Sequence, residues 1–266
     1  MGGLKVWVQG IGLLGPGLAS WAASLDVLRG AAPLVGAPTS LPAPARLPAA
    51  ERRRAGAAVK LALAVADEAV AQAQLDPATL ATVFTSSSGE GTNCHVLCET
   101  LATPAPMVSP TRFTNSVHNA ASGCWHIAVG SRASSTSLCA FDGSFGAGLI
   151  EAATSVALGG APMLLVASDS PYPEPLHATR PLPDHFGLAL VLAPAADARS
   201  IAALTIDTVD AQHTASVCAD PALDALRRAI PAAAALPLLI ALAQRDAKHG
   251  IVLECLDKMR LRVDVL

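Results

Sequence analysis

Residues 134–167 contain the pattern that most restricts the fold of this chain: a strand, a helix and a second strand in close succession. Small and β-capable residues over Ser134–Ala140 predict the first strand, and the apolar run Met163–Ala167 is typical of a buried one. Between them, apolar residues recur at steps of four and three over Ser144–Ala157, which predicts a helix that packs on one side. Because strand–helix–strand units connect parallel strands, the pattern predicts an α/β fold.

The same alternation extends over the rest of the chain. Steps of four and three also predict a helix over Ala57–Gln74, and the alanine-rich residues 221–250 are helical in character. Short apolar or alternating segments predict four further strands, Leu4–Gln9, Thr82–Thr85, Gly187–Leu192 and Leu204–Val209. Two terminal strands are predicted over Ile251–Leu256 and Leu261–Leu266. The alternation of strands and helices favours a mainly parallel sheet.

Composition excludes several classes of protein. Of the 266 residues, 52% are hydrophobic and only 15% are charged, which excludes a disordered chain. The mean hydropathy of +0.45 suggests a membrane span. However, glycine and proline interrupt the longest apolar runs at residues 159–162 and 231–237, so no segment of ~20 apolar residues is predicted to cross a membrane. The net charge is -3 and the longest basic run is Arg52–Arg54, so nucleic acid is not an expected partner.

The N-terminal residues lack the pattern of a signal peptide. Lys5 is the only charge before Asp26, and glycines and a proline break the apolar stretch that follows it, so we expect a cytoplasmic protein. The six cysteines are scattered along the chain, which predicts buried, reduced thiols rather than disulfides. Cys94 and Cys98 share one face of a predicted helix, but no second pair of metal ligands accompanies them, and no metal site is expected.

Gly10–Gly15 matches the glycine spacing of a dinucleotide-binding turn. Such a site also needs an acidic residue ~20 residues further on to bind the ribose. The corresponding segment, Ala31–Pro48, contains neither Asp nor Glu. We therefore expect these glycines to form a tight turn, and no cofactor is predicted.

Three residues that could carry chemistry lie at the predicted junction of a strand and a helix, around residue 142. A thiolate is stabilised at a helix start, but Cys139 falls within the predicted strand. Asp142 lies at the turn itself, where a carboxylate is expected to cap the helix and accept its free N–H groups. Ser144 is also predicted as a cap, because its glycine neighbours do not match the Gly-x-Ser-x-Gly spacing of a nucleophile elbow.

Two strings at the centre of the chain carry a resemblance to a known family. Ser109–Phe113 and Asn119–Gly123 resemble segments in the N-terminal half of β-ketoacyl synthases, and in particular of the short chain-length-factor-like proteins of aryl-polyene pathways. The resemblance implies a thiolase-like α/β fold, with a mixed five-stranded sheet and helices on both faces. Residues 1–210 would form this domain, and residues 211–266 would form a helical and strand extension packed on it.

The resemblance also assigns Asp142 to the position of the family's nucleophile, because an ungapped count from Ser109 ends there. Condensing enzymes need a cysteine at that position, since a thiolate must accept the acyl group from a carrier-protein thioester. They also use two histidines from a C-terminal half whose motifs this sequence does not show. The resemblance therefore implies a chain without catalytic residues of its own.

A chain of this kind would act through a partner. The resemblance implies a non-catalytic chain-length-factor subunit that forms a heterodimer with an active β-ketoacyl synthase. The two chains would shape the acyl tunnel during polyketide, polyene or fatty-acid-type elongation on acyl carrier protein. Ser134–Ala140 would pair with the strand of the partner. The acyl tunnel and dimer interface would include six residues: Arg112, Phe113, Val117, His118, Asn119 and Trp125.

Two alternatives stay open at this point. In the first, the chain is a stand-alone acyltransferase or hydrolase that uses Cys139 or Asp142 together with His118. In the second, it is a homodimeric pseudoenzyme that binds acyl chains or carrier protein. For His118, a hydrogen-bonded interior histidine is an equally good interpretation.

Overall fold

The computed structural model describes residues 3–87 and 89–266. The run Ser86–Ser88 follows the predicted strand Thr82–Thr85 in the sequence, and Ser88 lies outside the described residues. Over these residues the chain forms a single sheet. Its eight strands are β1 (Leu4–Leu14), β2 (Ala81–Thr85), β3 (Ser135–Leu138), β4 (Met163–Asp169), β5 (Phe186–Ala193), β6 (Ala202–Asp210), β7 (Lys248–Leu256) and β8 (Met259–Val265).

The strands lie in the order β3–β2–β4–β5–β1–β6–β8–β7. Only β2 pairs in parallel, with β3 on one side and β4 on the other. The remaining pairings among the described strands are antiparallel, so the expectation of a mainly parallel sheet is wrong. The sheet is mixed, as the resemblance implied. It has eight strands rather than five because β6, β8 and β7 continue it beyond β1.

Helices cover both faces of the sheet. They are α1 (Trp21–Leu28), α2 (Ala49–Arg54), α3 (Ala57–Ala73), α4 (Gly91–Leu101), α5 (Pro110–Thr114), α6 (Ala120–Val129), α7 (Ser144–Gly159), α8 (Leu176–Thr179), α9 (Pro221–Ala229) and α10 (Leu236–Gln244). The predicted helices over Ala57–Gln74 and Ser144–Ala157 correspond to α3 and α7. Residues 221–250 are not one helix, because a 3-10 turn at Pro231–Ala235 separates α9 from α10 and β7 begins at Lys248.

Each face of the sheet has its own hydrophobic core. Along β5, Leu188 and Leu190 face the core that α7, α1 and α10 cover. Ala189 and Val191 point the other way, into the core beneath α3 and α6. Successive side chains of a strand alternate between the two faces of a sheet, so a strand buried on both sides is apolar throughout.

The glycines that resemble a dinucleotide-binding turn serve the packing of α3. Gly10 and Gly12 lie inside β1 rather than in a tight turn. A Cβ atom on Gly10 would lie 2.0 Å from the carbonyl oxygen of Ala69, and one on Gly12 would lie 1.9 Å from that of Val65. The absence of a side chain at both positions therefore lets α3 lie directly on the sheet.

Residues 211–266 share the core and the sheet with the rest of the chain. β8 pairs with β6, and β7 pairs with β8. Buried residues of α10, such as Leu239 and Leu242, belong to the same core cluster as Val6 and Val8 of β1. The division of the chain at residue 210 stays a prediction.

Candidate functional site

The turn between β3 and α7 holds the residues to which the sequence points. After β3, residues Phe141–Gly143 form a 3-10 turn, and α7 begins at Ser144. Phe141 has a φ of +51°, the left-handed region that a bulky side chain rarely adopts. A strained residue at a strand-to-helix turn is the geometry that presents nucleophiles in other enzymes. Here the strained residue is Phe141 and the next is Asp142, and neither carries a thiol.

Asp142 does not cap α7, so that expectation is wrong. Its Oδ1 accepts a hydrogen bond from Nη2 of Arg180 at 2.5 Å, and the side chain is more than half exposed. The guanidinium group of Arg180 also lies 3.7 Å from the centre of the Phe141 ring. The carboxylate is directed away from the helix because this cation, stacked on the neighbouring ring, attracts it.

Ser144 stabilises the turn, although it is not the N-cap residue. That position belongs to Gly143. Ser144 Oγ donates to the carbonyl oxygen of Phe141 at 2.7 Å and accepts from the backbone N–H of Ala140 at 3.0 Å. The buried hydroxyl therefore bridges the two sides of the turn.

Cys139 and His118 lie near the turn but do not form a catalytic pair. Cys139 is exposed, and its Sγ donates to the carbonyl oxygen of Ser87 at 3.3 Å. His118 is also exposed, rather than interior, and its Nε2 contacts the carbonyl oxygen of Leu138 at 3.1 Å. A nucleophile and its base lie ≈ 3 Å apart. Among the described hydrogen bonds, none joins His118 to Cys139 or Asp142.

Two of the other thiols are buried and poorly reactive. All six cysteines are free; Cys218 and Cys255 are buried as expected, whereas Cys94 and Cys98 are exposed together with Cys139. Burial raises the pKa of Cys218 to about 11 and also raises that of Cys255. A raised pKa keeps a thiol protonated at neutral pH and makes it a poor nucleophile.

The C-terminal hairpin closes one side of the turn, a feature that the sequence did not reveal. A Cβ on Gly143 would lie 1.6 Å from the carbonyl oxygen of Cys255, and one on Gly146 would lie 2.1 Å from that of Glu254. The backbone of β7 therefore lies directly against the start of α7. Asp169, the last residue of β4, connects another C-terminal segment to the residues that follow β2. Its buried carboxylate accepts N–H groups from Ser87 at 2.7 Å and Ala232 at 2.8 Å.

β3 ends the sheet, and its outer edge is free among the described residues. The carbonyl oxygens of Ser134 and Leu138 accept N–H groups of β2 and of the residue after it. Because backbone groups of alternate residues point to opposite sides of a strand, those of Ser135 and Ser137 face outward. The structure therefore presents a short strand with unpaired hydrogen-bonding groups.

Exposed apolar side chains concentrate in the part of the sequence that precedes and follows β3. Half of the exposed large hydrophobic residues in the described chain lie between residues 101 and 141, namely Leu101, Met107, Phe113, Val117, Ile127 and Phe141. Phe113 is 68% exposed on α5, and Val117 follows it at 49%. Patches of this kind commonly mark interaction sites.

The six residues predicted for the tunnel and interface do not all lie on this surface. Arg112, Phe113, Val117, His118 and Asn119 are exposed in α5 and the turn that follows it. Trp125 is fully buried in the core beneath α3, so it cannot touch a partner chain directly. Its place on α6 turns its ring inward, which the sequence alone could not indicate.

Two neighbouring cavities begin beneath α5 and the turn that follows it. The first, of about 30 Å³, is lined by Val117, His118 and Phe84, and the second measures about 170 Å³. Both are lined by Val59, Glu90 and Ala120, so the two cavities adjoin there. Burial raises the pKa of Glu90, while the N–H of Ala58 stabilises its charged form.

Neither a metal centre nor a membrane span is found in the described part of the chain. No group of three or more His, Cys, Asp or Glu residues there could hold a metal ion. In the same residues, no helix has both the length and the apolar composition needed to cross a bilayer.

Comparison with known proteins identifies the fold and the family. A solved complex of the ketosynthase ApeO with its chain length factor ApeC, from Xenorhabdus doucetiae, matches with 22% identity and a TM-score of 0.72, over 98% of this chain and 99% of the matched chain. The complex AntDE:AntF, a type II polyketide synthase acyl-carrier protein with its ketosynthase bound to the hexaketide, matches with 13% identity and a TM-score of 0.73, over the same fractions.

A β-ketoacyl synthase from Burkholderia phymatum matches with 16% identity and a TM-score of 0.59, over 92% of this chain and 71% of that one. No curated protein matches the chain. At these identities the structural matches establish the thiolase-like fold of ketosynthases. The sequence model of the β-ketoacyl synthase N-terminal domain matches residues 28–242, which is most of the chain. This chain therefore belongs to the β-ketoacyl synthase N-terminal domain family.

Proposed function

We propose that this chain is a non-catalytic, chain-length-factor-like subunit. It would pair with an active ketosynthase and form part of the wall of the acyl tunnel while a carrier-protein-bound polyene, polyketide or fatty-acid-type chain is elongated. The observation that carries the proposal is the turn Phe141–Gly143 before α7: Phe141 has the strained conformation, Asp142 follows it, and none of the three residues carries a thiol.

Condensation requires a thiolate that receives the acyl group beside N–H groups that stabilise the oxyanion. A carboxylate cannot form that thioester. The ion pair between Asp142 and Arg180, with the guanidinium group over Phe141, stabilises this altered turn instead. Cys139 lies five residues before Ser144, the first residue of α7, and donates its S–H to a carbonyl oxygen, so it is poorly placed to replace the missing nucleophile.

The free edge of β3 and the exposed side chains of Phe113 and Val117 support the proposal of a partner chain. A partner strand would satisfy the outward backbone groups of Ser135 and Ser137, and apolar contacts around Phe113 would become buried. The Xenorhabdus match supports a ketosynthase as that partner. It covers 99% of the matched chain, whereas the match to the Burkholderia synthase covers 71% of that protein.

An acyl carrier protein is the second proposed partner. The proposed location of the complex is the cytoplasm. The AntDE:AntF structure contains an acyl-carrier protein together with a ketosynthase, and this chain shares that fold. The substrate would then arrive as a thioester on the carrier protein, and the ketosynthase partner would supply the nucleophile.

Co-expression with a ketosynthase encoded in the same gene cluster tests the proposal. The expected result is a stable 1:1 complex by size-exclusion chromatography with light scattering. A homodimer that excludes the ketosynthase would support the pseudoenzyme alternative and contradict the proposal.

A second arm treats the isolated chain with an acyl N-acetylcysteamine thioester and measures its intact mass. We expect no acyl adduct, while the ketosynthase alone gains one. An adduct that disappears in Cys139→Ser would support the stand-alone acyltransferase and contradict the proposal.

A further inference from the structure

The larger of the two cavities beneath α5 and the turn that follows it measures about 170 Å³ and is lined by four charged side chains. They are Glu51, Arg54, Glu90 and Arg112. Glu51 and Arg54 are paired with each other within α2, at 3.5 Å between Oε1 and Nη1. Glu90 and Arg112 form no ion pair in the described part of the chain. The cavity therefore has one acidic and one basic group available for a ligand.

Glu90 provides the acidic end of the cavity. Its Oε2 is buried, and within the described residues it has no hydrogen-bond partner. Burial raises the pKa of this carboxyl group, whereas a hydrogen bond from the N–H of Ala58 favours its charged form. A buried polar atom without a partner costs the protein free energy, and a donor that binds it recovers part of this cost. The free oxygen therefore favours a ligand that carries a positively charged donor.

Arg112 provides the basic end, at the exposed side of the cavity. Its described hydrogen bonds involve only the backbone: its N–H donates to Oγ of Ser109 at 3.4 Å, and its carbonyl oxygen accepts from Nδ2 of Asn93 at 2.8 Å. Asn93 is buried and also lines the cavity, so the second bond holds the backbone of Arg112 beside it. A guanidinium group binds a carboxylate through two parallel hydrogen bonds, so this end favours a ligand with a carboxylate.

The cavity is accessible and has room for a small polar molecule. An engineered cavity of ~150 Å³ binds benzene, so about 170 Å³ accommodates a molecule of about six non-hydrogen atoms. The side chain of Arg54 is 51% exposed, so the cavity reaches the surface and a ligand can enter without an opening of the fold. Pockets that bind small molecules combine apolar walls with a few convergent polar groups, and Val59 and Ala120 supply apolar wall here.

From this arrangement we infer that the cavity binds a small amino acid. The ammonium group would lie at Oε2 of Glu90, and the carboxylate would lie at the guanidinium group of Arg112. A ligand that carries both charges satisfies both groups and leaves the net charge of the cavity unchanged, whereas a simple amine or carboxylate satisfies only one of them. The site belongs to this chain alone, so the inference goes beyond the proposed function and does not depend on a ketosynthase partner.

The site is tested on the isolated chain by calorimetric titration with glycine, β-alanine and γ-aminobutyrate, which place the two charges at increasing separation. Propylamine and propionate each carry one of the charges and are the matched ligands. We expect the best of the amino acids to bind at least about tenfold more tightly than either single-charge ligand, because hydrogen bonds to charged groups are the strong ones. Amino acids that bind no more tightly than these two ligands, as a cavity that holds only water would give, would overturn the inference.

Glutamine substitutions locate the bound amino acid. Glu90→Gln keeps the shape of the side chain and removes its charge, and Arg112→Gln removes the basic group; each should weaken binding of the best amino acid at least about tenfold. Arg53→Gln is the matched control, because Arg53 lies on α2 beside Arg54 but does not line the cavity, and its removal should leave the affinity unchanged.

Calorimetric unfolding shows whether each variant is folded. Arg112 is exposed, so Arg112→Gln still tests the site if Glu90→Gln does not fold. The same affinity in Arg112→Gln as in the unchanged chain, or an equal loss in Arg112→Gln and Arg53→Gln, would place the ligand elsewhere and overturn the inference.

Discussion

The close contact between α7 and β7 can be tested with one methyl group. In Gly146→Ala, the new Cβ would lie 2.1 Å from the carbonyl oxygen of Glu254, whereas ordinary contacts begin at 3.4 Å. The two backbones must therefore separate by more than an ångström. Overpacking of this kind costs typically 1–3 kcal/mol, and because both atoms belong to backbone we expect the upper end, about 3 kcal/mol.

The expected loss corresponds to a measurable change in melting temperature. With an unfolding entropy of ~2.1 cal/mol/K per residue, about 3 kcal/mol lowers the Tm of a chain this long by about 5 °C. Differential scanning calorimetry measures that shift, and urea unfolding measures the free energy.

Gly123→Ala is the matched control, because it makes the same substitution within a helix. A Cβ on Gly123 has no atom within 4 Å. Alanine there should stabilise the protein by about 0.5–1 kcal/mol through the intrinsic preference of alanine for helices. If Gly146→Ala proved as stable as Gly123→Ala, β7 would not lie against the start of α7, and our account of how the turn is closed would be refuted.

Three further substitutions examine the interface, the turn and a buried carboxyl group. Phe113→Ser should weaken the complex with the ketosynthase at least about tenfold, because buried aromatic anchors supply much of the binding energy of an interface. Val35→Ser, which changes an equally exposed side chain elsewhere, should not weaken it; equal losses in a binding titration would contradict the assignment. Asp142→Asn should lower the free energy of unfolding by less than about 1 kcal/mol, because the carboxylate forms an exposed ion pair with Arg180 and caps no helix; a loss above about 2 kcal/mol in urea would restore the capping role. Burial raises the pKa of the Asp169 carboxyl group in the folded protein. Protonation of this group therefore stabilises the fold, fully at a pH below its unfolded pKa of about 3.9. This stabilisation is lost as the pH rises through the folded-state pKa. Asp169→Asn should therefore flatten this part of the pH profile of Tm, and an unchanged profile would count against the raised pKa.

Local features of the fold could be predicted from the sequence. The apolar periodicity of Ser144–Ala157 and the run Met163–Ala167 gave α7 and β4, because a helix face and a strand buried on both sides leave their patterns in consecutive residues. The direction of strand pairing could not be obtained in this way. It depends on which distant segments meet, as when β6 pairs with β8: the partners Leu204 and Val265 are 61 residues apart in the sequence (265 − 204).

The candidate site was predictable in position but not in contacts. The central strings of the sequence indicated the turn at Asp142, yet its ion-pair partner Arg180 lies 38 residues away and nothing in the sequence connects the two. Trp125 could not be assigned to the core without knowing which side of α6 faces α3. Nothing in the sequence indicated that Glu90 lines both cavities, because a single glutamate in a segment rich in serine and glycine cannot be distinguished from a solvated one.

The proposed heterodimer depends on pairing between the free edge of β3 and an active ketosynthase. Amide hydrogen exchange over residues 135–138, measured for the isolated chain and for the co-purified complex, tests it most directly, since a backbone N–H that becomes paired exchanges more slowly. We expect the outward amides of Ser135 and Ser137 to exchange at least about tenfold more slowly in the complex. Unchanged exchange at both amides, in a complex that is otherwise intact, would contradict it.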